Sequence, residues 1–220
     1  MSKAQDLLVE IGTEELPPKA LRPLMEAFGE SLAAGLDAAR LAHGDVHPCA
    51  SPRRLTVMVD KLATAQEDRA VEQKGPPVHI AYDDDGKPTP AAEAFAKKCG
   101  VGVDDLERAE TEKGEWLVFN TVEQGRSAAE LLPEIVERAL AALPIPRRMR
   151  WGSGEAEFVR PVHWVVLLHG ESVVEASIMG IESGRESRGH RYHSSGPIRI
   201  DKPGDYLDAL EKTGFVIADF

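Results

Sequence analysis

A chain of 220 residues, 42% apolar and 29% charged, is long enough for one large globular unit or two small ones with real cores, and its net charge of −11 argues against a nucleic-acid binder that uses its whole surface. Two widely separated cysteines, Cys49 and Cys99, make no CxxC pair, so neither a zinc ribbon nor a disulfide framework is indicated and a reducing cytosol fits best. No export-signal pattern precedes the first apolar stretch, and the longest strongly apolar run, Val165 to Leu168, falls far short of the roughly 20 residues of a membrane helix. A soluble, cytoplasmic protein with no membrane partner is expected.

Leu7 to Ile11 reads as a short buried strand ended by Gly12-Thr13. Pro17 and Pro18 then open a helix whose Leu21, Leu24, Met25, Phe28, Leu32 and Leu36 recur at spacings of three and four, closing near Gly44. Pro23 lies too early to break it. Leu55 to Val59 alternates β-branched and long apolar side chains and predicts a strand, entered through the extended Ser51-Pro52 step. Asp83 to Pro88 is a turn by composition. A further helix follows, with Thr89 placed to cap it, Pro90 at its first position, Phe95 facing inward and Gly100 free to take the left-handed closing conformation. Lys113-Gly114 predicts a hairpin turn, with Trp116 to Val122 as the second strand. Ser127 to Glu130 has the capping-box spacing, and Leu131, Leu132, Ile135, Val136, Ala139 and Leu140 form the apolar face of the helix it heads. Pro144 stops that helix.

Beyond Pro144-Ile145-Pro146 the character of the chain changes. Val162 to Leu168 and Val173 to Met179 read as an antiparallel hairpin across His169 to Ser172. Asp205 to Lys212 is a short helix ending at Gly214, and Phe215 to Ala218 starts an element that the end of the sequence cuts off, so Phe220 is not expected to be a natural terminus. Helices and strands are grouped rather than alternating. The fold class expected is α+β, helices packed on mainly antiparallel sheet in two subdomains: an N-terminal one over 1–145, and an arginine-rich, hairpin-containing one over 146–220 that is truncated at its end.

Charge divides along the chain in the same way. Residues 1–145 hold 16 Lys/Arg against 26 Asp/Glu, residues 146–200 hold 8 against 6, and residues 201–220 hold 2 against 5. All eight basic residues of the middle block are arginines, whose rigid fork suits phosphate and carboxylate, so RNA or subunit contacts are expected there. Pairing with neighbouring Glu on a solvated face is the plainer alternative.

Motif by motif, little catalytic chemistry emerges. Glu14-Glu15 are neighbours, and adjacent carboxylates rarely converge on one substrate; a position near a helix N-terminus, favouring its dipole, explains them better. His190 and His193 are spaced by three, and Arg188 and Arg191 would repel a cation beside them, so no metal is expected. That segment reads better as an RNA surface, with the arginines on phosphate and Tyr192 available for stacking, or as a structural turn. Gly152 to Glu155 lacks the lysine of a phosphate-binding loop, and no serine or cysteine nucleophile has a placed base. No catalytic residue is expected on this chain.

The run from Leu8 to Leu21, LVEIGTEELPPKAL, resembles the opening of the β subunit of the bacterial two-subunit glycyl-tRNA synthetases. Ser51 to Leu55, Lys113 to Leu117, Leu143 to Gly152, Phe158 to His163 and Arg188 to Arg191 are similar to that family in its order. The resemblance implies the N-terminal portion of a subunit that supports tRNA binding and α2β2 assembly. In this family the α subunit carries the class II core that uses ATP and glycine, so no cofactor is expected on the present portion, and the anticodon-reading domain lies towards the β C-terminus. Expected partners are the α subunit and tRNA(Gly), with no DNA. Charge and context, rather than the resemblance, nominate Arg147, Arg148, Arg150, Arg188, Arg191 and Tyr192 as RNA contacts. A free-standing RNA-binding or adaptor module derived from the same subunit is the alternative.

Overall fold

The computed structural model describes residues 4–83, 86–111 and 114–219, in two compact units. The first comprises residues up to Glu67 and from Arg126 onward; the second is Asp68 to Gly125, inserted into it. In chain order the first unit opens with β1 (Ala4–Thr13), α1 (Pro18–Ala38), β2 (Val46–Ser51) and β3 (Arg54–Ala63). The second unit follows as β4 (Arg69–Pro77), α2 (Val78–Ala81), α3 (Pro90–Cys99), β5 (Glu107–Thr111) and β6 (Gly114–Glu123). The first unit then resumes with α4 (Ala128–Ala141), β7 (Met149–Arg150), β8 (Glu157–Phe158), β9 (Val162–His169) and β10 (Ser172–Val173). It ends with β11 (Ser177–Ile178), β12 (Ile181–Gly184), β13 (Glu186–Arg188), β14 (Pro197–Arg199) and α5 (Tyr206–Lys212).

The main sheet runs β11-β12-β9-β1-β3-β2, with β10 also paired to β9. All its pairings are antiparallel except β12 on β9. This is the α+β class that the grouping of elements predicts. Because β9 pairs with β1, residues on either side of position 145 share one sheet and one core. The change of character at 145/146 therefore does not coincide with a boundary between compact units, which fall at 67/68 and 125/126. The chain leaves and returns beside itself, Gln66 N–H donating to the Arg126 carbonyl at 3.0 Å.

Period-two alternation on β1 separates two layers. Leu7, Val9 and Ile11 join Phe28, Leu32 and Leu36 of α1 and Leu132, Val136 and Leu140 of α4 in the larger core. Leu8 points the other way, with Trp164, Val166, Leu168, Ile198, Ile200, Tyr206 and Leu210. Helix α1 passes through Pro23 as expected and ends before Gly44: Arg40 takes the left-handed conformation (φ 52°) and Leu41 N–H returns to the Leu36 carbonyl at 3.0 Å. Ser127 Oγ accepts from Glu130 N–H at 3.3 Å, which is one half of the expected capping box; the Glu130 carboxylate faces Arg126 at 3.6 Å. The predicted 162–179 hairpin is shorter than expected, because only Ser172 and Val173 pair back onto β9 before the chain turns into β11 and β12.

In the second unit β4, β6 and β5 form an antiparallel sheet, with Phe95 of α3, Ala81 and Leu117 in its small core. Gly100 closes α3 at φ 75°. Thr89 stands at the cap position, but its hydroxyl donates to the carbonyls of Ile80 and Ala81 instead of capping. Lys113 of the predicted hairpin turn, and Asp84 and Asp85 of the predicted 83–88 turn, lie outside the described residues.

Candidate functional site

On the second face of the sheet, register sets the site. Glu10 stands opposite Thr56 on β3 and Val166 on β9; two residues on, Gly12 stands between Arg54 and Trp164. With no side chain at Gly12, the indole of Trp164 lies over that position: a Cβ there would be 1.9 Å from Trp164 Cε2. Arg54 then spreads its guanidinium over four acceptors. Nε donates to Ser51 Oγ at 2.8 Å, and Nη1 donates to Glu10 Oε1 at 3.1 Å and to Ser187 Oγ at 3.2 Å, while Nη2 donates to the Arg188 carbonyl. Ser187 Oγ in turn donates to Glu10 Oε1 at 2.8 Å, and the hydroxyls of Thr56 and Tyr206 meet at 2.8 Å.

Burial pushes the Glu10 carboxyl above its ordinary 4.5, opposed first by the Arg54 charge and then by Ser187, Trp164 and Tyr206. Glu10 Oε2 and Trp164 Nε1 make no hydrogen bond of good geometry, so the influence of the indole is one of proximity. Burial, followed by the Asp219 and Glu10 charges, raises the Cys49 thiol to about 12, which leaves it protonated and unreactive. Burial likewise raises Tyr206 well above the usual phenol range.

Outward from this network lies an open depression of about 500 Å³. The β2–β3 turn supplies Pro52, Arg53 and Arg54, the 189–192 loop supplies His190, Arg191 and Tyr192, and the segment after α5 supplies Phe215 and Ile217. The loop is tied down by His190 N–H, which donates to the Gly214 carbonyl at 2.7 Å. The guanidinium carbons of Arg53, Arg54 and Arg188 stand 5.7, 5.8 and 5.9 Å from the Trp164 ring centroid. Arg191 is paired with Glu14 at 2.9 Å, and the other Glu14 oxygen faces His163 Nε2 at 3.1 Å. Tyr192 is 83% exposed, Phe215 59% and Ile217 72%. Guanidinium groups beside exposed rings suit an anionic ligand with a flat face.

The nominated residues thus fall into two groups. Arg191 and Tyr192 line the depression, and Arg188 adjoins it. Arg147, Arg148 and Arg150 lie on another part of the first unit. Arg148 Nη2 donates to the Ala141 carbonyl at 2.7 Å and so caps the end of α4, and Arg150 faces Glu157 at 3.6 Å. Arg147 is exposed and makes no ion pair or hydrogen bond among the described residues. Glu14 and Glu15 precede the first turn of α1, which contains no acidic residue, and Glu14 is engaged by Arg191 and His163 instead. The His190 and His193 rings lie 4.5 Å apart between centroids, tilted by 32°. Sequence reasoning did not nominate Arg53 or Phe215; the Ser51 to Leu55 stretch was the signal available for Arg53.

The family model described as glycyl-tRNA synthetase beta subunit matches residues 7–220. The chain belongs to that family. The glycine–tRNA ligase beta subunit of Marinobacter nauticus is 51% identical over 98% of this chain, and that of Hahella chejuensis is 52% identical over 98%. The beta subunit of Escherichia coli strain SMS-3-5 is 51% identical over 97%. The chain spans 31% of the length of each of these relatives. Four of the stretches that resemble this family meet at the site just described: Leu8 to Leu21 carries Glu10, Gly12 and Glu14, Ser51 to Leu55 carries Arg53 and Arg54, Phe158 to His163 brings His163, and Arg188 to Arg191 closes over them.

Proposed function

We propose that this chain serves as the N-terminal part of the β subunit of a two-subunit glycine–tRNA ligase, contributing tRNA contacts and α2β2 assembly in the cytoplasm. On this reading glycyl-adenylate forms from glycine and ATP on the α subunit, and the present portion binds neither. The observation that carries it is membership of the β-subunit family over residues 7–220. Support for an RNA-facing role comes from the arginines and exposed rings around the depression. No helix among the described residues is long and apolar enough to cross a membrane.

The test uses the purified chain, alone and with the α subunit. Glycine-dependent pyrophosphate exchange by the chain alone should match a catalytically dead control, and activity above that control overturns the assignment. In the complete β subunit, deleting residues 1–220 should lower tRNA(Gly) affinity or stop co-purification with α. If neither changes, the supporting role fails.

A further inference from the structure

We propose that the depression bounded by Arg53, His190, Tyr192 and Phe215 takes one unpaired nucleotide of a bound RNA, with its phosphate at Arg53 and Arg188 and its base against Tyr192. This rests on the tRNA-binding reading above and names the feature of the RNA that is engaged.

The first support is charge. Arg53, Arg54 and Arg191 line the depression and Arg188 adjoins it; two of the four are neutralised, Arg54 by Glu10 at 3.1 Å and Arg191 by Glu14 at 2.9 Å. Arg53 and Arg188 have no carboxylate partner among the described residues, yet both stand within 6 Å of the same Trp164 ring centroid. Two guanidinium groups without carboxylate partners beside one indole leave positive charge that a bound anion offsets. The second support is an unused donor. Arg53 Nε is shielded from water and makes no hydrogen bond, a cost relieved when the side chain turns to place it on an acceptor in the depression.

Shape and surface decide the class of ligand. Tyr192 and Phe215 hold their rings in water at 83% and 59% exposure, and exposed rings beside free arginines are how proteins stack unpaired bases without demanding one sequence. A depression of about 500 Å³ lies within the range of sites for a small molecule or one nucleotide, whereas a paired RNA helix presents no projecting base to fill it.

The test uses the assembled ligase with its complete β subunit and tRNA(Gly) carrying 4-thiouridine at single unpaired positions. Irradiation should cross-link one position to the peptide containing Tyr192 or to that containing Phe215. Tyr192→Ala should reduce the yield at least tenfold, while Tyr192→Phe, which keeps the ring, retains it. Arg53→Gln should weaken tRNA binding roughly five- to tenfold and lower the salt slope by about 0.7; thermal unfolding of each variant checks that the fold is kept. Cross-links elsewhere within 1–220, with unchanged affinity in Arg53→Gln, overturn the pocket and leave the tRNA reading standing. No cross-link within 1–220, and no affinity change from any variant, overturns both. Loss of α-subunit association in Arg53→Gln, with unaltered tRNA affinity of the assembly that remains, overturns the pocket in favour of a protein contact.

Discussion

Arg54 reaches Glu10 across the β1–β3 pair at 3.1 Å, with 2% and 0% of their side chains exposed. A strand that reads as an apolar run therefore carries a buried carboxyl group, and the arginine that answers it comes from 44 residues away. The same guanidinium holds Ser187 and the Arg188 carbonyl, so the ion pair also fixes where β13 and the loop after it begin. A purely apolar layer would leave that placement to packing alone.

Removing Arg54 should expose how the pair is balanced. Burial raises the folded-state value of Glu10 above 4.5 even with Arg54 present, so the folded chain holds this proton more tightly than the unfolded chain does. Its stabilising contribution is then full below pH 4.5 and is lost as pH rises through the folded-state value. Arg54→Met takes away the lowering charge and moves that value further up. The expected cost is about 3–5 kcal/mol at neutral pH, shrinking as pH falls towards the ordinary carboxylate range. Urea unfolding at several pH values measures it, and a cost that does not vary with pH would mean that Glu10 is already neutral in the wild type.

Gly12→Ala should be poorly tolerated for a reason of space. The new Cβ would sit 1.9 Å from Trp164 Cε2 and 2.0 Å from Cδ2, so the indole must leave its place over β1 and disturb its contacts with Arg53, Arg54 and Arg188. Overpacking of this kind costs about 1–3 kcal/mol or more. In a Trp164→Leu background the same alanine should cost clearly less. An equal penalty in both backgrounds, read from denaturant midpoints, would place the conflict elsewhere.

Periodicity made the larger core legible and left the site largely hidden. The stripe Leu24, Phe28, Leu32, Leu36 and the face of α4 are local signals, and both are buried as their spacing predicts. Strand β2 carries Pro48, and β4 is mostly polar with a Pro-Pro end, so neither alternates in a way that marks a strand, yet each pairs at a sheet edge where one side needs no partner. The inserted second unit has no composition break at its borders. Arg53 and Arg54 are adjacent and chemically alike, but one is half-buried beside the depression and the other is 1% exposed under it. That difference comes from the pairing of β3 with β1 and from β13 arriving over 130 residues later, which no local pattern encodes. The three histidine- and arginine-bearing positions 188, 190 and 191 were visible as a cluster, whereas Phe215 joins them through long-range contacts, among them the bonds from His190 to Gly214 and from Ala50 to Ala218 and its edge contact with His193.

Phe28→Ala tests the larger core. Phe28 has no exposed surface, and it packs in the same cluster as Leu7, Val9 and Leu132. Truncation should cost about 3–5 kcal/mol, the sum of lost transfer energy and an unfilled cavity. A change under about 1 kcal/mol in urea unfolding would place the ring outside the core.

The connector arginines separate by what already holds them. Arg148 Nη2 is spent on the Ala141 carbonyl at the end of α4, so Arg148→Gln should weaken that helix end by about 1 kcal/mol and alter tRNA affinity little. Arg150 faces Glu157 at 3.6 Å with both side chains about half exposed, and Arg150→Gln should change stability by about 0–1 kcal/mol. Arg147 alone of the three is exposed and unengaged among the described residues, so a phosphate contact by this block falls to it. In the proposed α2β2 assembly, Arg147→Gln should reduce the salt slope of tRNA binding by roughly 0.7–0.9, because each phosphate neutralised releases condensed counterions. If the block instead faces the α subunit, the substitution shifts subunit stoichiometry in the ultracentrifuge and leaves the slope where it was. An unchanged slope in an intact tetramer removes the phosphate role from Arg147, and the same measurement on Arg150→Gln, whose contact with Glu157 is exposed, decides it for Arg150.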